Sequence, residues 1–183
     1  MQDRWGLAQQ HTTALIGDLA GKSLLRVEAG RVSLHDLQMD YLTRLTPDRS
    51  ALHDQLVTAY RGQCPGGWAG GPDDGYFYPR LAHHLHQADR AQELQALLLD
   101  LDWMRAKLAT GTMAGLLADY DTLPDDPALR LVAGALRLSA HVLASDPGQL
   151  PSQVTGRLTG QADPRLRNLR NVLAAGLLPG CAR

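Results

Sequence analysis

Lysine is almost missing from this 183-residue chain: Lys22 and Lys107 are the whole supply among 18 basic residues, and arginine provides the rest. The 19 acidic residues bring the formal net charge to −1. That balance gives no electrostatic reason to expect nucleic acid or an anionic membrane as a partner. Cysteine is equally scarce. Cys64 and Cys181 stand alone, with neither metal-ligand spacing nor a disulfide framework. Aromatics make up 5% of the chain, so leucine and alanine must fill the interior, as helix packing favours. No run reads as long and apolar enough to span a bilayer, and the start, Met1-Gln2-Asp3-Arg4-Trp5, lacks an apolar signal core. A cytoplasmic protein is expected, and the arginine bias suggests GC-rich coding and a bacterial source. There is no Gly-x-Ser-x-Gly elbow, no glycine-rich phosphate loop ending in Lys-Ser/Thr and no dinucleotide fingerprint. Nothing here points to an enzyme.

What is present is helical periodicity, densest between Asp73 and Leu108. Phe77, Leu81, Leu85 and Ala88 recur at helical spacing, and so do Leu94, Leu97, Leu98 and Leu101. The polar turn between them predicts an antiparallel helical hairpin, with Asp89 capping its second helix and Gln92 reaching back. One hairpin cannot bury both stripes, so the flanking segments must supply partners.

Ahead of it, a helix is expected over about 8–20, with Leu15, Ile16 and Leu19 inward and Gly21 as its stop. The period then falls to two. Leu25 and Val27, a turn at Ala29-Gly30, then Val32 and Leu34 predict a short β-hairpin. Leu37, Tyr41, Leu42 and Leu45 return to helical spacing, with Asp36 near that helix's start. Helix, hairpin, helix is the tail of a winged-helix unit. Thr46-Pro47 restarts the chain with proline at a first helical position, and Leu52, Leu56, Ala59 and Tyr60 form the next inner face, closed by Gly62. Trp68 is expected to pin the glycine-rich loop from Cys64 to Pro72 to the body. Asp102 is placed to cap a short helix through Trp103 and Leu108, and another carries Met113, Leu116, Leu117 and Tyr120.

The last third repeats one device: Asp126-Pro127, Asp146-Pro147 and Asp163-Pro164 each pair an N-cap with a first helical proline. The first should open the most buried helix, apolar through Leu129, Val132, Leu136 and Leu143 and through the neighbouring Leu131, Ala135, Leu138 and Val142. The second leads into Leu150, Val154 and Leu158, the third into Leu166, Leu169 and Leu173. The end, Leu177 to Arg183, is expected to fray. The fold class expected is mainly α, a stack of helical hairpins (47–183) preceded by a partial winged-helix unit (1–46).

Few residues suggest chemistry. His83, His84 and His86 are one and two apart and point different ways on a helix, whereas metal ligands want spacings of three or four. No metal site is expected there. Asp73-Asp74 and Asp100-x-Asp102 sit at helix starts, where carboxylates cap N–H groups rather than catalyse. Arg165, Arg167 and Arg170 read as a solvated face. His35-Asp36 carries two readings: a helix cap with a packed histidine, or a functional pair.

Leu34-His35-Asp36 at the end of a wing resembles the Met-His-Asp motif of the STAND-class signalling ATPases, within their NB-ARC winged-helix domain. Beyond that wing, to about Gln161, the chain is similar to the helical domain of the apoptotic protease-activating factor type. The similarity runs through Asp74-Gly75-Tyr76-Phe77, Leu81 to Leu85, Leu97 to Trp103 with Lys107-Leu108, Leu117 to Asp121, Leu129 to Val132, Leu136 to Leu143, and Gly156-Arg157-Leu158. The resemblance implies a regulatory segment without catalysis, linking a nucleotide-binding module to a WD-repeat propeller. It also implies that His35 contacts the β-phosphate of ADP when the nucleotide-binding core is present, with Leu34 replacing the usual methionine. No cofactor is expected within this chain, which reads as a fragment or split product of a larger switch. The alternative is a stand-alone helical adaptor that binds a protein partner. A winged-helix DNA binder lacks both a recognition helix and a basic surface.

Overall fold

A computed structural model describes residues 9–175. Within them lie ten α-helices and one two-stranded antiparallel hairpin. Leu177 to Arg183, including Cys181, fall outside the described residues, as does Trp5.

The front of the chain comprises α1 (Gln9–Gly21), β1 (Arg26–Glu28), β2 (Arg31–Ser33) and α2 (Asp36–Leu45). The hairpin pairs Val27 with Val32 across a turn at Ala29 and Gly30, both at positive φ. Helix α1 ends at Gly21, where expected, and Ser23 just beyond supplies the αL turn, at φ 58°, with Leu24 N–H donating to Leu19 C=O and Ser23 N–H to Ala20 C=O. That six-to-one and five-to-two pair is the usual αL helix stop. The expected inner faces are only partly covered: Leu15, Val27, Val32, Leu37, Tyr41, Leu42 and Leu45 are all exposed, while Ile16, Leu19, Leu25 and Leu34 are half-buried. No described side chain before Leu56 is buried.

The body begins with α3 (Arg49–Gln63), started by Asp48, whose carboxylate accepts from Ala51 N–H, so Pro47 lies before the helix. Gly62 falls inside α3, and Leu52 is exposed. A short 3₁₀ turn at Trp68–Gly70 comes next. Trp68 is buried under the Arg61 guanidinium, and Tyr78 Oη donates to the carbonyls of Ala69 and Gly71. At Gly71 a Cβ would lie 2.0 Å from the Phe77 ring, so only glycine lets the loop close over that ring.

Beyond the loop stand α4 (Phe77–Gln87) and α5 (Ala91–Leu98), the expected hairpin. Its turn works differently from expectation. Asp89 sits at φ 56°, with Arg90 N–H donating to Leu85 C=O and Asp89 N–H to His86 C=O, so Asp89 terminates α4 instead of capping α5. The next helix is α6 (Leu101–Thr110), capped by Asp100, which accepts from Asp102 N–H and Trp103 N–H; Asp102 lies inside it. Helices α7 (Met113–Tyr120), α8 (Pro127–Ser145), α9 (Leu150–Arg157) and α10 (Pro164–Ala175) complete the array.

Each packs on its neighbours, α3 on α4, α7 on α8, α8 on α9 and α9 on α10. One apolar cluster runs from Leu56 to Leu173, centred on Phe77, Leu81, Leu85, Trp103, Met104, Leu129 and Leu136. The aspartates before proline act as expected: Asp126 accepts from Ala128 and Leu129 N–H, Asp146 from Gly148 N–H, Asp163 from Arg165 N–H. Helix α8 departs from expectation in being buried on one face only, with Leu131 and Leu138 exposed on the other. It is also long and apolar enough, by length and composition, to cross a membrane, contrary to expectation; its inner face serves the core instead.

Candidate functional site

Three places gather polar or charged groups. The first is the head of α2. His35 occupies the N-cap position in extended backbone, its N–H donating to the Gln38 side chain, while Asp36 is the first helical residue. His35 is exposed and borders a small recess with Arg26, Ser33, Leu34 and Asp36.

The second is a cleft of about 270 Å³ between α2, α3 and α4, walled by Met39, Leu42, Leu52 and Leu56. On its wall His84 Nδ1 lies 2.7 Å from His53 Nδ1, and His84 Nε2 lies 2.8 Å from Tyr76 Oη. His84 is buried, as its place on the apolar face predicts, while His83 and His86 are exposed. His83 still leans its ring toward both partners, 5.6 Å from His53 and 5.5 Å from His84. Burial first, then neighbouring positive charge, holds the pKa of His53 and His83 below the ordinary histidine value. Among the described residues, no three histidine, cysteine or acidic side chains are arranged to hold a metal ion.

The third lies deep in the body, where Lys107 of α6 donates to Asp119 of α7 with both side chains almost wholly buried. The ammonium is also 5.8 Å from the centre of the Trp103 ring. Burial pushes the Asp119 carboxyl up to about 6 although Lys107 pulls it down. Desolvation outweighs the attraction, as is common for ion pairs taken out of water. The Tyr120 hydroxyl, raised by burial and by Asp119, donates to Leu98 C=O and ties α7 back to α5.

The other singled-out residues serve structure. Asp74 accepts from the N–H groups of Tyr76 and Phe77 and helps start α4. The arginine run is solvated in part, Arg167 being exposed, and it also makes structural contacts. Arg165 grips Asp126 with two nitrogens and also reaches Asp163, joining the caps of α8 and α10; Arg167 and Arg170 donate to the carbonyls of Ala162 and Leu158. Cys64 is buried, and burial raises its thiol pKa. Sequence reasoning missed His53 and the Lys107–Asp119 pair. A signal for the pair existed: Asp119 stands among Leu116 and Tyr120 on the inner face of α7, and Lys107 stands four residues after Trp103 on that of α6.

Residues 50–126, from the first turn of α3 to the cap of α8, match the family described as the APAF-1 helical domain. The centre of this chain is similar to that helical domain. Among curated proteins, it is 32% identical over 124 residues to apoptotic protease-activating factor 1 of Danio rerio, covering 63% of this chain and 10% of that protein. To the proteins of the same name from Rattus norvegicus and Homo sapiens it is 34% and 32% identical over 110 residues, 56% of this chain and 9% of each. The chain thus spans about a tenth of the length of the curated relatives it matches. The matched residues supply both helices that hold the histidine pair and both that hold the buried ion pair.

Proposed function

We propose that the chain is a non-catalytic regulatory and scaffolding segment of a STAND-type NB-ARC signalling ATPase, acting in the cytoplasm. It links a nucleotide-binding module to a WD-repeat sensor. In this reading residues 1–46 are the C-terminal part of the NB-ARC winged-helix domain and residues 47–183 the helical domain. The observation that carries it is the surface of the front segment. Leu37, Tyr41 and Leu45, at i, i+4 and i+8 on α2, are 82, 63 and 58% exposed, and no described side chain of the segment is buried. A helix with such an uncovered stripe is half of an interface. The nucleotide-binding module is the occupant we assign to it, because the exposed His35 stands beside the stripe at the head of the same helix. The chain binds no cofactor alone. With the module docked, His35 donates to the β-phosphate of ADP and favours the closed state.

The test is a titration of the purified chain with an ADP-loaded NB-ARC nucleotide-binding module. Expected is saturable binding, weakened at least about tenfold by Leu37→Asp, a loss of about 1.4 kcal/mol. The same complex should release ADP faster after His35→Ala, since a hydrogen bond to a charged group contributes about 1.5–3 kcal/mol. No binding, or binding indifferent to Leu37, defeats the reading. A second reading, the stand-alone adaptor, draws on the exposed Leu131 and Leu138 of α8. A protein partner lost on Leu138→Asp but kept on Leu37→Asp would favour it.

A further inference from the structure

His53 and His84 come from different helices and meet nitrogen to nitrogen, Nδ1 to Nδ1 at 2.7 Å. A hydrogen bond between two ring nitrogens needs one proton on that line and a lone pair facing it. The neutral pair satisfies this with either ring as donor, and Tyr76 Oη at His84 Nε2 can donate or accept to match. One added proton makes one ring an imidazolium and still leaves donor facing acceptor. A second added proton sets N–H against N–H and positive charge against positive charge. At that spacing the link cannot survive.

The surroundings make the second proton costly. Arg49 of α3 acts on both His53 and His83, and Arg80 and His86 of α4 act on His83. No carboxylate is among the charges acting on His53 or His83. Asp54 pairs with Arg90, Asp74 accepts from backbone N–H groups, and Asp89 accepts from Ser50. Glu93 of α5 pairs with Arg61 and Arg90, and Lys107 of α6 with Asp119 of α7. From α2 the cleft receives Met39, Leu42 and Thr43, none charged.

We propose that His53, His84 and Tyr76 form a proton-gated latch between α3 and α4. It stays closed with at most one added proton and opens on the second, releasing the start of α3 and the cleft it shares with α2. A histidine whose folded pKa is lowered binds its proton better when the contact is lost. The latch is therefore fully stabilising above the ordinary histidine pKa of about 6.5 and weakens as pH falls below it. This inference is independent of any nucleotide-binding partner.

Amide hydrogen exchange on the whole chain at pH 7.5 and 5.5, corrected for intrinsic rates, tests it. Local opening of α3 around Ala51 to Val57 should be about tenfold more frequent at pH 5.5. In His53→Gln, which keeps a donor and an acceptor but does not titrate, the change should be under about twofold. Amides of α8 should respond equally in both proteins and so absorb the pH dependence of Asp119. Equal acceleration of α3 in wild type and variant, or acceleration no greater than in α8, overturns the latch. Should His53→Gln not fold, ¹⁵N titration of the wild-type imidazoles decides. Two separated, coupled steps for His53 and His84 support it, and one ordinary step shared by both overturns it.

Discussion

The front segment, 9–46, and the body, 47–175, use the same vocabulary of leucines at helical spacing and reach opposite ends. In the body the stripes face one another, and Val57, Leu85, Leu94, Leu98, Leu129 and Leu136 are fully or nearly fully buried. In the front segment the stripes are as regular, yet Leu37, Tyr41 and Leu45 face outward. An amphipathic pattern reports that a face is suited to burial. It does not say what buries it, because burial needs a second surface within reach.

The sharpest break in this comparison concerns the body's one buried charge pair. Lys107→Met alone strands the Asp119 carboxylate and should cost about 3–5 kcal/mol in urea unfolding. Lys107→Met with Asp119→Leu should recover most of that loss, since an apolar pair of similar volume commonly matches a buried ion pair. The raised pKa of Asp119 also fixes a sign. The folded state holds this proton more tightly than the unfolded chain, so stability from this group falls as pH rises from about 4 to about 6. The double variant should lack that slope. A single variant as stable as wild type would mean that the pair is not sealed from water.

Next come the leucines themselves. Leu136→Ala on α8 should cost about 2–5 kcal/mol, with a cavity left where the side chain was. Leu37→Ala on α2 should change stability by less than about 0.5 kcal/mol, because nothing packs on it in the isolated chain. If the two losses proved similar, the front segment would be covered in solution and the contrast would fail.

The smallest effect belongs to His35→Ala. The side chain is exposed and its backbone N–H donates to the Gln38 side chain, so unfolding should shift by no more than about 0.5 kcal/mol. Severe unfolding would show that the imidazole holds the hairpin to α2 and would remove it from the ligand-facing surface.

The sequence by itself determined which segments are helical, where the β-hairpin turns, that aspartate before proline starts three segments, and that His84 rather than its neighbours turns inward. These features obey local rules, spacing and capping, that act within a few residues. It also carried the family resemblance, through Asp74 to Phe77, Leu81 to Leu85 and Leu97 to Trp103. Finer local choices were less legible. Asp48 and Asp100 took the boundary roles that Pro47 and Asp102 were expected to fill, because adjacent candidates differ by little and the packing angle selects among them. Only the tertiary structure decided the long-range pairings. It brought His53 to His84 across 31 residues, Lys107 to Asp119 across 12 and Arg165 to Asp126 across 39. Such contacts depend on which helix faces lie together, and neither spacing nor propensity along one helix encodes its neighbour. The same holds for the bare stripe on α2, where the pattern announced a buried face and the fold left it open.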